Sequence, residues 1–178
     1  MPGSDSKFAL DASAFYSGLA FLSGSKAQSF TTVAVMDEVK HIKASHAAID
    51  ALTEAGLLTV ADPEPGWAKQ VTEAARRTGD LAKLSAADVS IIALALGQKL
   101  SLFTDDYAAA NVAAHLGIPV QSSTGKSLKE ARRWTSYCSA CSRSFGPDAK
   151  ECSLCGNALR RKFRKKPIKQ PAGDAGSR

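Results

Sequence analysis

The chain predicts an α/β protein: a three-layer α/β/α domain built on a central parallel sheet, followed by a small zinc ribbon. Three observations carry this. Short apolar runs of buried-strand length alternate with longer stretches that have helix caps and helical spacing. Of the 178 residues, 44% are hydrophobic, enough for one core of ordinary size plus an appendage. All four cysteines fall in two Cys-x-x-Cys pairs near the end.

In order, a strand is expected over 7–11 (Phe8-Ala9-Leu10) and a helix over 13–22. A Thr-rich segment over 29–32 leads into a helix over 33–42, with Thr31 and Thr32 as cap candidates. Ser45 is expected to cap a helix over 46–55 that Gly56 stops, before a strand over 57–61. Asp62-Pro63-Glu64-Pro65-Gly66 reads as a break, then a helix spans 67–77 and ends near Gly79. Ser85-Ala86-Ala87-Asp88 is a capping box with Asp in place of Glu, opening a helix over 86–97. A strand over 100–104 precedes a helix over 107–116 with Gly117 beyond its end, and a short strand covers 118–121. Strands alternating with helices require right-handed crossovers, hence a parallel sheet covered on both faces.

The first domain is expected over 1–121, a polar, basic linker over 122–133, the four-cysteine ribbon over 134–160, and a basic, disordered tail over 161–178. Net charge divides along the same line. Residues 1–121 carry 9 Lys and Arg against 13 Asp and Glu, and residues 122–178 carry 14 against 4. An acidic body joined to a basic end suits metal chemistry in one part and a polyanion, nucleic acid, held by the other. The polar start Met1-Pro2-Gly3-Ser4-Asp5-Ser6 is unlike a signal peptide and no apolar run reaches bilayer length, so a cytoplasmic protein with no membrane partner is expected.

Asp11 and the Asp105-Asp106 pair follow expected strands, at the sheet end where open α/β folds bind ligands. Asp88 belongs to a first helical turn, and Glu38 shares a helical face with Val35 and Val39. Gathered carboxylates repel unless a cation or proton compensates. With no histidine or thiol among them, these acids suit Mg²⁺ or Mn²⁺, hard ions that also bridge to phosphate oxygens. Such a site hydrolyses phosphodiesters with metal-activated water. Taken singly, Asp88 is more often only a helix cap and Asp105-Asp106 only a turn; their joint placement favours the nuclease reading.

Cys138, Cys141, Cys152 and Cys155 have the spacing of two zinc knuckles, with Gly146-Pro147 turning the hairpin between them. Structural Zn²⁺ is favoured over disulfides because the expected compartment is reducing. Arg160, Arg161, Lys162, Arg164, Lys165 and Lys166 put six positive charges in seven residues, read as RNA-phosphate contacts rather than a solubilising tail. Trp134, Tyr137, Phe145 and Phe163 interleave with basic residues and serve either as the small module's core or as base-stacking groups. His41, His46 and His115 have no motif spacing.

The segments 8–15 (Phe-Ala-Leu-Asp-Ala-Ser-Ala-Phe), 84–88 (Leu-Ser-Ala-Ala-Asp) and 104–107 (Thr-Asp-Asp-Tyr) resemble the PIN-domain ribonucleases. With Asn111-Val112-Ala113 downstream, then the four-cysteine knuckles and a basic segment, residues 7–166 look like the NOB-one endonucleases of small-subunit ribosome maturation, in their compact archaeal form. The resemblance implies an endoribonuclease that removes the 3′ trailer of precursor small-subunit (16S) rRNA within the nascent small subunit, in company with assembly factors. It also implies Mn²⁺ or Mg²⁺ held by Asp11, Glu38, Asp88 and Asp106, with Asp105 orienting metal or water. Ala110 stands where family members often have Gln. The competing readings are a toxin-type PIN ribonuclease, which normally lacks the ribbon, an RNA-binding assembly factor with an idle acidic site, and a ribbon acting as a DNA or protein adaptor.

Overall fold

The computed structural model describes residues 7–18, 20, 28–41, 46–125 and 130–167. Its first part runs β1 (Phe8–Leu10), α1 (Ala12–Tyr16), β2 (Ser29–Thr31), α2 (Val33–Val39), α3 (His46–Glu54), β3 (Leu58–Val60), α4 (Pro65–Thr78), α5 (Ala86–Gln98), β4 (Ser101–Phe103), α6 (Tyr107–His115) and β5 (Val120–Gln121). The five strands form one sheet in the order β3-β2-β1-β4-β5, with every pairing parallel. The chain builds outward from β1 through β2 to β3, then returns to place β4 on the other side of β1. The β1/β4 boundary is therefore the switch point of the sheet, where adjacent loops diverge and leave a crevice at the carboxyl ends of the strands.

The core explains the alternation. Ala9 of β1 and Leu102 of β4 are fully buried, as are Ile91, Ile92, Ala93 and Ala95 of α5, a helix apolar on nearly all sides because its neighbours enclose it. Burying an isoleucine side chain this completely stabilises the fold by roughly 2 to 3 kcal/mol relative to exposure. No helix among the described residues is long and apolar enough to cross a membrane.

Several elements differ from expectation for identifiable reasons. Pro65 and Gly66 do not break the chain but form the first turn of α4, where the missing proline N–H leaves no helix bond unmade. Helix α5 continues past Gly97 and is capped by Lys99 in the left-handed conformation, φ 55°. Gly97 serves helix packing instead, since a Cβ there would lie 2.7 Å from the Trp67 indole nitrogen and only a bare backbone lets α4 and α5 approach. Helix α1 stops at Tyr16, with Ser17 closing its turn and Gly18 at φ 74°; Ala20 is again helical, and residues 19, 21 and 22 of the expected 13–22 helix lie outside the described residues. Ser45 and the stretch 168–178 lie outside the described residues.

The largest correction concerns the basic segment. Arg160–Pro167 is not a disordered tail but an eight-residue strand, β8, paired antiparallel along the whole of β6 (Glu130–Tyr137). With β7 (Ser144–Phe145) these make a second sheet in the order β7-β6-β8. The end of the expected 122–133 linker, from Glu130 onward, is likewise strand. A run of like charges reads as unstructured, yet here alternate residues find different surroundings. Phe163 meets Trp134 edge to face at 5.1 Å, and Lys165 pairs with Glu130 at 2.8 Å.

Candidate active site and cysteine cluster

Register alone brings the first acids together. Leu10 pairs with Phe103, so the next residues, Asp11 and Thr104, emerge side by side at the switch point. Thr104 donates its hydroxyl to Asp11 Oδ2 at 2.7 Å and accepts the Asp106 N–H at 3.1 Å. Ser13 makes a second bridge, donating to Asp11 Oδ2 at 3.3 Å and accepting the Asp105 N–H at 3.0 Å. Asp11 Oδ1 accepts from the Ala12 N–H at 2.7 Å, which makes this carboxylate both the N-cap of α1 and the centre of the network. Asp106 caps α6 by accepting the Ala109 N–H at 2.7 Å, and Asp105 accepts the Ser123 N–H at 2.9 Å.

Asp88 enters from α5. Its Oδ2 accepts the Ser85 N–H at 2.8 Å while the Ser85 hydroxyl accepts the Asp88 N–H at 3.0 Å, the reciprocal capping box read from the sequence. Asp11 is only 4% exposed, and burial pushes its carboxyl above the ordinary range. The Thr104 hydroxyl pulls the other way, and the Asp88 charge adds to the upward push, so the two carboxylates are within electrostatic reach of each other.

Glu38 behaves differently. Val35 and Val39 are buried as expected, but Glu38 is exposed rather than on their inward stripe, because it lies at the edge of the apolar face of α2. Its backbone carbonyl accepts the Tyr16 hydroxyl at 3.2 Å, which ties α1 to α2 beside it. Structure thus joins Asp11, Asp105 and Asp106 in one hydrogen-bonded network and sets Asp88 near it, but no hydrogen bond among the described residues links the Glu38 carboxylate to them.

Two features of this rim suit a hard cation. Among the described residues no Lys, Arg or His forms an ion pair with any of the five acids. Asp88 Oδ1 and Asp106 Oδ2 have no hydrogen-bond partner among those residues, which leaves one oxygen open on each carboxylate. The carboxylates are nonetheless not drawn into a single tight shell. Among the described residues the one group of three or more such side chains gathered closely enough to hold a metal ion is the cysteine quartet, whose sulfurs all lie within 4.8 Å of one another. Asp11, Asp88 and Asp106 are instead each fixed by a helix cap of their own, and like charges gain nothing from closer approach. The roles that sequence reading passed over belong to hydroxyls: Thr104 and Ser13 bridge the acids, and the buried Thr32, expected only as a helix cap, also lies 2.6 Å from the Ser90 side chain. For Thr104 the signal was a hydroxyl one step past a strand end, in register with Asp11.

The cysteine cluster is compact. Cys138 Sγ lies 3.5 Å from Cys155 Sγ, and Cys141 Sγ lies 3.6 Å from Cys152 Sγ. These are free thiols, far beyond a disulfide length of about 2.05 Å. They are close to the roughly 3.8 Å edge of a tetrahedron with metal–sulfur bonds of about 2.3 Å. Without a metal the sulfurs polarise one another. The Cys141 N–H helps lower the Cys138 thiol to about 6. At Cys155 the Asn157 N–H also favours the thiolate, but contacts with Cys152 and Cys138 outweigh it and push that thiol up to about 12. Four thiolates so close require a cation.

Of the six basic candidates in β8, Arg160, Lys162 and Arg164 alternate on one face of the strand and are exposed. On the other face, Arg161 donates to the Gly79 carbonyl at 2.7 Å and stacks on Trp134, and Lys165 is held by Glu130. Lys166 pairs with Ala131 along the strand.

A five-stranded parallel sheet with acids at its switch point defines a PIN-type nuclease, and residues 8–97 match the family described as "PIN domain of ribonuclease". The similarity extends through the ribbon. Endoribonuclease Nob1 of Pyrococcus abyssi is 33% identical over 156 residues, covering 86% of this chain and 92% of that protein. Endoribonuclease Nob1 of Methanothermobacter thermautotrophicus is 31% identical over 162 residues, 88% of this chain and 92% of that protein. Ribonuclease VapC1 of Thermoplasma acidophilum is 34% identical, but over 62% of this chain and 57% of that protein. The chain belongs to the Nob1 family of PIN-domain endoribonucleases. It is an endoribonuclease, its substrate is RNA, PIN nucleases are metal-dependent, and its cysteine cluster fits a zinc ribbon.

Proposed function

We propose that this chain is the endoribonuclease that trims the 3′ end of precursor small-subunit (16S) rRNA, working in the cytoplasm on nascent small subunits and their assembly factors. The observation that carries the reading is the combination, in one chain, of the Asp11-Thr104-Asp106 network at the sheet's switch point with a cysteine ribbon that bears an exposed basic strand. Asp11, Asp88, Asp106 and Glu38 would hold Mn²⁺ or Mg²⁺, and Cys138, Cys141, Cys152 and Cys155 would hold structural Zn²⁺. Bound at the acids, the divalent ion supplies an activated water and charge stabilisation at the phosphate. The chain's own residues supply the rest. Thr104 and Ser13 hold Asp11 in one orientation, Asp105 stands beside Asp106 to orient water, and Arg160, Lys162 and Arg164 hold the RNA backbone. Arg161, Lys165 and Lys166 complete the basic strand, although Arg161 and Lys165 also make the internal contacts described above.

The test is cleavage of a model precursor spanning the 3′ end of the small-subunit rRNA by zinc-loaded protein. Cutting at the mature end that requires Mn²⁺ or Mg²⁺ and disappears in Asp11→Asn supports the reading. Metal-independent cutting, or cutting that survives Asp11→Asn, overturns it. The wider spacing of the acids than of the thiols favours a second reading, an RNA-binding assembly factor with an idle acidic site, and the same assay separates the two.

A further inference from the structure

Helix α6 is shared by the two halves of the molecule. Its N-cap is Asp106, at the acidic rim, and five residues on it carries Asn111, which is fully buried. Five helical residues rise only about 7.5 Å. Asn111 Oδ1 accepts the Arg132 N–H at 2.6 Å, and its amide donates to the Arg132 carbonyl at 2.8 Å. A side chain thus pairs with the backbone of β6 as a neighbouring strand would. The same amide donates to the buried Asp80 carboxylate at 2.6 Å, which fixes its orientation from the α4 side. The Arg132 guanidinium lies 4.7 Å from the Tyr107 ring of α6 and 4.6 Å from the Phe163 ring of β8, so it links both halves. At Gly79 the approach is so close that a Cβ would sit 2.5 Å from that of Pro147 and 2.9 Å from that of Trp134.

We propose that Asn111 and Arg132 are positioning residues that hold the basic ribbon at a fixed offset from the acidic cleft, so that one RNA strand long enough to reach both is bound as a single preorganised footprint. This rests on the RNA-cleaving reading above. A fixed offset raises the effective concentration of the second contact once the first has formed, and a loosened ribbon forfeits that gain without losing either contact surface. The cleft and the exposed face of Arg160, Lys162 and Arg164 are then two ends of one site rather than two independent sites.

The experiment uses the zinc-loaded full chain in an Asp11→Asn background, which leaves bound RNA uncut. Fluorescence anisotropy at fixed salt follows two single-stranded RNAs, one of about 5 nucleotides that fills one end and one of about 20 that reaches both. Asn111→Ala is expected to weaken the long RNA about tenfold and leave the short one unchanged. Arg132→Lys keeps the charge but loses the planar stack, and should weaken the long RNA in the same selective way. Equal weakening of both RNAs by Asn111→Ala, no weakening of either, or full retention of long-RNA affinity by Arg132→Lys overturns the proposal. If the parent chain binds neither RNA, the RNA reading falls together with it. If that chain binds both without preferring the longer, only the fixed offset falls.

Discussion

The cysteine quartet and the acidic rim are both clusters of anionic ligands, and they are built in opposite ways. Four sulfurs come within 4.8 Å of one another from two tight knuckles in one small module. The carboxylates arrive from three separate elements, each held by its own helix cap, with unpaired oxygens left over. A tetrathiolate of this compactness closes around an ion and leaves no position for substrate, which suits a structural role. An open rim of oxygens around one buried acid leaves room for water and phosphate, which suits catalysis. On the proposed reading, the same electrostatic problem, excess negative charge, is solved once for folding and once for chemistry.

The strongest way to break this contrast is to neutralise one ligand in each cluster. Asp106→Asn should lower RNA cleavage by about 10³-fold, roughly 4 kcal/mol of transition-state stabilisation, while circular dichroism stays unchanged. Cys152→Ser should do the reverse. It should release the ribbon's metal and remove amide hydrogen-exchange protection from β6 to β8, yet leave the five-stranded sheet protected. A variant of either cluster that behaves like the other would erase the distinction.

Smaller effects sharpen it. Thr104→Val removes the bridge between Asp11 and the Asp106 N–H, and should weaken divalent-ion affinity and activity by about 10- to 100-fold, measured as the metal dependence of cleavage. Asp11 then gives a stability signature. Its folded pKa is raised, so its favourable contribution is fully present below the ordinary value of 3.8 and is lost as pH rises through the folded value. Asp11→Asn should therefore raise Tm at neutral pH without divalent metal, and the advantage should vanish as the pH falls. Added Mn²⁺ should stabilise the native chain and not the variant.

Much of this was legible in the sequence because it rests on local rules. The Ser85-Asp88 capping box, the Thr32 cap, the Gly56 and Gly117 stops, and the alternation that yields a parallel sheet all depend on residues a few positions apart. The knuckle spacing identified the cysteine cluster for the same reason. What escaped depends on distant partners. The strand β8 was hidden because six charges in seven residues look like a solvated tail until β6 supplies Trp134 and Glu130 opposite them. Asn111 reads as an ordinary helical residue, and only the return of the chain at Arg132 reveals why a buried amide belongs there. Glu38 was placed inward by helical spacing, but α2 is short and its apolar face narrow, so one step around the helix reaches solvent.

We propose that the carboxylates at the switch point form a divalent-cation site distinct from the cysteine cluster. Isothermal titration of Mn²⁺ into zinc-loaded protein, native and Asp106→Ala, tests it most directly. Saturable Mn²⁺ binding to the native chain that is lost in the variant, with zinc content equal in both, is the expected result. Binding of equal strength in the two proteins, or no binding to the native chain, would contradict it.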